Sequence, residues 1–397
     1  MGSGLDMTAI QKALVDAELD GWLFYDHHFR DPIAYRVLKI HPSICTRRWY
    51  YLIPSFGQPF KLEHRIERET LECLPGARRL YSTWTELREQ LRRMLEGKRR
   101  VAMQYSPLND VPYVGLVDAG TIELVRSVGA EVVSSADLVQ LFEARWSAEA
   151  LASHVEAGKV IHESIRHAFR TIRKAALASS DLSEYAVQQE LLRFMSERGV
   201  VTDEPPIVAV NANTASPHYL PTQASSLPIR ANDFVLLDVW GKLQKPGSVY
   251  FDITWTGYVG KQVPAPYQDI FSLVREARDA AIACVRHALE TDQELRGYEV
   301  DDAAREVIRK AGYADHFVHR TGHSIGEEVH GNGANMDNYE SRDIRRVLPG
   351  TCFSIEPGIY LKDFGMRSEV NVYAEMRGAR VTGQIQQAVV PILAPES

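Results

Sequence analysis

Apolar and polar positions change period along the chain, and the change divides it. Residues 1–146 alternate short apolar runs with amphipathic stretches. GWLFY (21–25), WYYLI (49–53) and VAMQY (101–105) read as strands. Residues 8–18 read as a short helix, and 83–96 as a helix with Leu87, Leu91 and Leu95 on one face. Strand-like apolar pieces follow near 122–133, then a helix at 136–145. From Ser147 the pattern lengthens. Residues 147–177 carry apolar positions at helical spacing, and a second helix at 183–199 begins with the capping pattern at Ser183. A strand at 206–212, the loop NANTASPHYLPT, a hairpin through 234–258, helices at 267–289 and 299–311, and strands around His323, Glu356 and Glu369 complete the order. The prediction is an α/β domain over 1–146 and an α+β domain over 147–397 whose curved sheet holds a polar site.

Composition narrows the classes. At 397 residues, 45% hydrophobic and 24% charged, the chain has apolar content for two cores. It has no apolar run long enough for a membrane span, so no membrane partner is expected. The opening MGSGLDMTAIQKAL lacks a basic stretch followed by an apolar one; MGSG is compatible with a cloning remnant, and a cytoplasmic location is expected. Cys45, Cys73, Cys284 and Cys352 are scattered without C-x-x-C spacing, which fits a reducing compartment and argues against a structural zinc site. The net charge of -7 arises wholly after residue 146, and the basic run RRMLEGKRR reads as a solvated helix end, so no nucleic-acid partner is expected. No glycine-rich nucleotide loop occurs in the first part, and the adjacent His27 and His28 read as loop or interface residues.

The chemistry lies in the second part. In DHFVHRTGHSIGEEVH (315–330), His319, His323 and His330 are threaded by Gly322 and Gly326, which points to an irregular segment rather than a helix. By itself this run fits a polar loop as well as a site. FSIEPGIY and GMRSEVNVY, however, each place one acid, Glu356 and Glu369, in a strand-like run, and FVLLDVWGK and VYFDITWTGY do the same with Asp238 and Asp252. A carboxylate buried without a partner costs several kcal/mol, so a cation is expected. Two divalent ions offset four carboxylates; oxygen ligands with one nitrogen suit Mn²⁺, Co²⁺, Fe²⁺ or Zn²⁺. Two such ions roughly 3.5–4 Å apart can share and acidify a water, which is hydrolase chemistry.

The order Asp, Asp, His, Glu, Glu, in D-x-W-G, D-I-T, H-R-T-G-H-S-I-G, S-I-E-P-G-I-Y and M-R-S-E, resembles the pita-bread metallopeptidases across residues 150–390. That group includes methionine aminopeptidases, Xaa-Pro aminopeptidases, prolidases and creatinase. The resemblance implies a curved antiparallel sheet with flanking helices, preceded by a creatinase-type α/β domain. It implies Asp238, Asp252, His323, Glu356 and Glu369 as ligands of two divalent ions, with Asp252 and Glu369 bridging or chelating; manganese is preferred, with cobalt or zinc as alternatives. The resemblance also implies His218 beside the substrate and His330 steadying the scissile carbonyl, and Glu356 is expected to move the proton. His319 is expected as a further pocket histidine or a structural one, and Arg367, two residues before Glu369, with Thr254, is expected to hold the carboxylates through charge-assisted hydrogen bonds. Arg342, fourteen residues before Glu356, matches the prolidase arginine assigned to the proline carboxylate, while Arg345 and Arg346 read as loop residues.

The expected activity is cleavage of Xaa-Pro dipeptides. The alternatives are an Xaa-Pro aminopeptidase acting on longer peptides and a non-catalytic binding module, the latter disfavoured because no ligand is missing. The resemblance also implies a homodimer, with YDHHFRDPIAY (25–35) suited to a pocket rim. Four features depart from the family pattern and bear on substrate range: a longer hairpin through KLQKPGS, Trp255 in place of arginine, Glu204 near a usual tyrosine, and Gly331 after His330.

Overall fold

A computed structural model describes residues 5–395; the opening MGSG lies outside the described residues. The chain divides between Glu143 and Ala144 into two compact units. No helix among the described residues is long and apolar enough to cross a membrane.

The first unit is built on a six-stranded sheet. In spatial order its strands are Ala77–Tyr81, Phe60–His64, Trp49–Pro54, Gly21–Asp26, Arg100–Met103 and Glu131–Ser134. GWLFY and WYYLI are apolar throughout because both faces are covered. Trp22, Phe24, Trp49 and Tyr51 pack against Ile10, Leu14 and Ile33, whereas Leu23, Tyr25, Tyr50 and Leu52 pack against Leu87, Leu91 and Ile122. Two expectations are corrected. The stretch near 122–133 holds the helix Ala119–Ser127 as well as a strand, because the Asp118 side chain caps the helix by accepting from Thr121 N. The helix expected at 136–145 stops at Val139 and widens into a π-turn over Gln140–Ala144.

In the second unit, Ser147 and Ser183 cap the helices Ala148–Ala178 and Glu184–Ser196, accepting from Ala150 N and Ala186 N. The strands Phe234–Leu243 and Phe251–Tyr258 pair antiparallel, with Asp238 opposite Thr254 and Trp240 opposite Asp252. A four-stranded sheet runs Ser324–Ile325, Cys352–Ile355, Val370–Ala374, Ala379–Val381, and Gly358–Tyr360 pairs with Gly365–Arg367. Helices cover the outer faces. Ile161, Ile165 and Ile172 of Ala148–Ala178 meet Val235, Leu237, Val239, Phe251 and Ile253. Phe271 and Val274 of the helix Ala265–Glu290 join a cluster with Phe353, Ile355, Val370 and Val372. Because strand side chains alternate, the residues between these, Asp238, Asp252 and Thr254, point to the opposite, inner face.

Candidate metal centre

Four segments meet on that inner face. Asp238 and Asp252 come from the hairpin, His323 immediately precedes Ser324–Ile325, Glu356 follows Cys352–Ile355, and Glu369 sits between Gly365–Arg367 and Val370–Ala374. Asp252, His323 and Glu369 offer donor atoms that all lie within 4.8 Å of one another. His323 Nε2 is 3.4 Å from Asp252 Oδ2 and 3.5 Å from Glu356 Oε1.

The histidine is held by its backbone. His323 N donates to Ser354 Oγ at 2.9 Å, and Nδ1 lies 3.1 Å from Ser324 O, so Nδ1–H donates there and Nε2 keeps its lone pair for the centre. A Cβ on Gly322 would fall 1.9 Å from Ser354 O, which explains the glycine beside the histidine. Glu369 accepts from Thr254 Oγ1 at 2.8 Å. Arg367, buried, donates from Nη2 to Asp238, from Nε to Thr254 Oγ1 at 3.0 Å and from Nη1 to Tyr360 Oη at 3.0 Å.

The donor set fits divalent cations. Asp238 Oδ1 and Asp252 Oδ1 are buried and without a partner among the described residues. Burial, reinforced by the neighbouring carboxylates, pushes the Asp252 and Glu369 carboxyls well above the ordinary range and raises Glu356. Burial lowers the His323 imidazole, which favours its neutral, ligating form. The buried Arg367 guanidinium, even with Arg320 at the cavity wall, does not balance four acids; bound cations do.

A cavity of about 660 Å³ opens over this floor, lined by His218, His319, His330, Arg320, Trp240 and Tyr250 among others. His330 meets His323 edge to ring at 4.4 Å between centroids, and the His323 ring together with burial lowers the His330 imidazole. Both nitrogens of His319 are engaged, Nδ1 by Arg320 O at 2.7 Å and Nε2 by Tyr360 Oη at 2.8 Å, and burial lowers it to about 3. Its ring is therefore a neutral strut between Tyr360 and the backbone.

Arg342 does not line the cavity. It is exposed and stacks over the Tyr298 ring at 4.5 Å. Arg345 is not a solvated loop residue but is buried in an ion pair with Asp343 at 2.6 Å. Trp255 points to the outer face, 6.0 Å from the His162 ring, so that departure from the family pattern lies away from the cavity, whereas Glu204 lines it. Sequence reasoning missed Arg320 and Tyr360. Tyr360 stands four positions after Glu356, a spacing that could have marked it.

Residues 152–376 match the model described as metallopeptidase family M24. The chain belongs to metallopeptidase family M24. It is 30% identical over 253 residues to the uncharacterized peptidase YqhT of Bacillus subtilis, covering 63% of this chain and 65% of that protein. It is 37% identical over 166 residues to an Xaa-Pro dipeptidase of Lactobacillus helveticus, covering 41% of this chain and 40% of the relative. Both matches span less than two thirds of the relative's length. The dipeptidase PepE from Mycobacterium ulcerans superposes with a TM-score of 0.70 at 22% identity, covering 97% of this chain and 96% of that one. The mixed α/β architecture with antiparallel sheets and outer helices is thus that of M24 structures.

Proposed function

We propose that the protein is a two-metal Xaa-Pro dipeptidase. The observation that carries this reading is the set Asp238, Asp252, His323 and Glu369, all buried, with the half-buried Glu356, on the floor of a cavity of about 660 Å³, where Asp238 Oδ1 and Asp252 Oδ1 have no partner among the described residues. These five residues would hold two divalent ions, with manganese preferred. When bound, such ions supply Lewis acidity toward a carbonyl and toward water.

The chain's own groups do the rest. Glu356 takes a proton from the attacking water and returns it to the prolyl nitrogen, which leaves as an amine. His330 and His218, both open to the cavity, hydrogen-bond the scissile carbonyl and the substrate. Arg367 and Thr254 keep Asp238 and Glu369 in place. The Xaa-Pro preference is supported by the family and by the activity in the name of the Lactobacillus helveticus relative. With Arg342 stacked on Tyr298, Arg320 takes over the proposed role toward the proline carboxylate, because it lines the cavity between His319 and His323.

One observation favours an Xaa-Pro aminopeptidase instead. A second, open cavity of about 560 Å³ shares Asp203 and Glu204 with the first and extends along Tyr185, Gln188 and Gln189, giving a longer peptide room. Hydrolysis of Ala-Pro against Ala-Pro-Pro-Ala with Mn²⁺ separates the two: a dipeptidase prefers the former by roughly tenfold or more in kcat/KM. A homodimer is proposed on the resemblance alone, and light scattering tests it; a cytoplasmic location is proposed from the scattered cysteines and the opening of the sequence.

A further inference from the structure

Glu184 is an acid that the proposed mechanism does not use. It opens the helix Glu184–Ser196, yet its side chain is fully buried. Its carboxylate accepts four separate donors: Val210 N at 2.8 Å, Asn213 Nδ2 at 3.0 and 3.2 Å, Tyr219 Oη at 2.7 Å and Leu227 N at 2.8 Å. All four belong to one segment. Val210 ends the strand Ile207–Val210, where the chain departs toward His218, Tyr219 adjoins His218, and Leu227 is where the chain returns. The return is fastened twice more, by Glu184 N to Leu227 O at 3.0 Å and Ile229 N to Leu182 O at 2.7 Å. A single carboxylate therefore grips both ends of the His218 loop and the residue beside the histidine.

A helix start does not require this arrangement. Ser183 already caps the helix, and a buried carboxylate served only by neutral donors is costly unless every lone pair is met. Its donors all lie in the loop, and burial together with the Glu184 contact raises the Tyr219 phenol, which keeps it a donor. On its other side the loop is tied to the floor. Gly365 N donates to Thr214 Oγ1 at 2.8 Å, and a Cβ on Gly365 would fall 2.2 Å from Thr214 O. Gly365 begins the strand that carries Arg367. His218 hangs between these two anchorages, and freeing one end would return conformational freedom to a long segment.

We infer that Glu184 is a positioning residue that sets the place of His218 at the cavity wall. The inference rests on the proposed role of His218 toward substrate. It is tested in the full-length, Mn²⁺-loaded protein by two measurements. In the first, hydrogen exchange of the amides of residues 211–226 is compared in wild type and Glu184→Ala; exchange rises across the whole loop if the carboxylate closes it, and unchanged exchange overturns the inference. The second is a kinetic cycle on Ala-Pro with Glu184→Ala, His218→Ala and the double variant. Glu184→Ala is expected to lower kcat/KM by roughly tenfold with metal content per chain unchanged, and the double variant to match His218→Ala within about twofold. Losses that multiply, or a Glu184→Ala enzyme within about twofold of wild type, overturn it. Should Glu184→Ala not fold, Tyr219→Phe removes one donor and enters both measurements with the same outcomes on a smaller scale. Full activity in His218→Ala would instead defeat the reading of His218, while the exchange measurement still reports on Glu184 and its loop.

Discussion

Arg367 Nη2 donates to Asp238 Oδ2, leaving Oδ1 as the oxygen without a partner among the described residues. The same guanidinium reaches Thr254, whose hydroxyl donates onward to Glu369, so one cation orients a carboxylate on each side of the centre. Arg367→Gln should therefore lower metal content and kcat/KM together, the latter by roughly a hundredfold, and reduce stability by about 3–5 kcal/mol through the exposed imbalance of buried charge. Elemental analysis, Ala-Pro kinetics and urea unfolding check the three effects.

The two loop arginines should separate cleanly. Arg342→Ala removes a guanidinium stacked on Tyr298 outside the cavity and should leave Ala-Pro turnover within about twofold of wild type. Arg320→Ala should lower kcat/KM for Ala-Pro by roughly tenfold to a hundredfold, and for Ala-Pro-NH₂, which lacks the carboxylate, by far less. Equal losses on both substrates would remove Arg320 from carboxylate recognition.

These two arginines mark how far sequence alone reaches. Asp238, Asp252, Glu356 and Glu369 were legible because each is a lone acid in an apolar strand run, a pattern that physical cost makes rare, and the structure brings all four to one face with His323. Which of several arginines in a loop turns inward depends on a distant aromatic partner, here Tyr298 on the helix Gly297–Lys310, and spacing does not carry that information. The strand Ala77–Tyr81 escaped notice because ARRLY lies at a sheet edge and shows no apolar run. The helix Ala119–Ser127 reads as strand in sequence because Ile122 and Val125 carry branched side chains, and the cap that makes it helical is the Asp118 side chain. In sequence Glu184 is a first-turn acid after the Ser183 cap, and only the folded loop reveals its donors.

Stability should depend on pH through His154. The residue is fully buried, its Nδ1 on Tyr250 O and its Nε2 on Thr382 Oγ1, and burial lowers it to about 4 from 6.5. The unfolded chain binds this proton at a higher pH than the folded one. The contribution is therefore complete above pH 6.5 and is lost as pH falls toward 4. Its full size is on the order of 3 kcal/mol. Urea unfolding across this range should give a stability curve that falls more steeply with acid in wild type than in His154→Gln; parallel curves would show that the imidazole is not held neutral.

The central claim is that Asp238, Asp252, His323, Glu356 and Glu369 form a hydrolytic two-ion centre, and the most direct measurement is transition-metal content per chain followed through removal and return. Chelated protein should lose Ala-Pro hydrolysis, take up close to two Mn²⁺ per chain on titration and recover activity in step with uptake, while Asp252→Asn does neither. Protein that binds fewer than one ion per chain under titration, or that cleaves Ala-Pro as fast without metal as with it, would contradict the account.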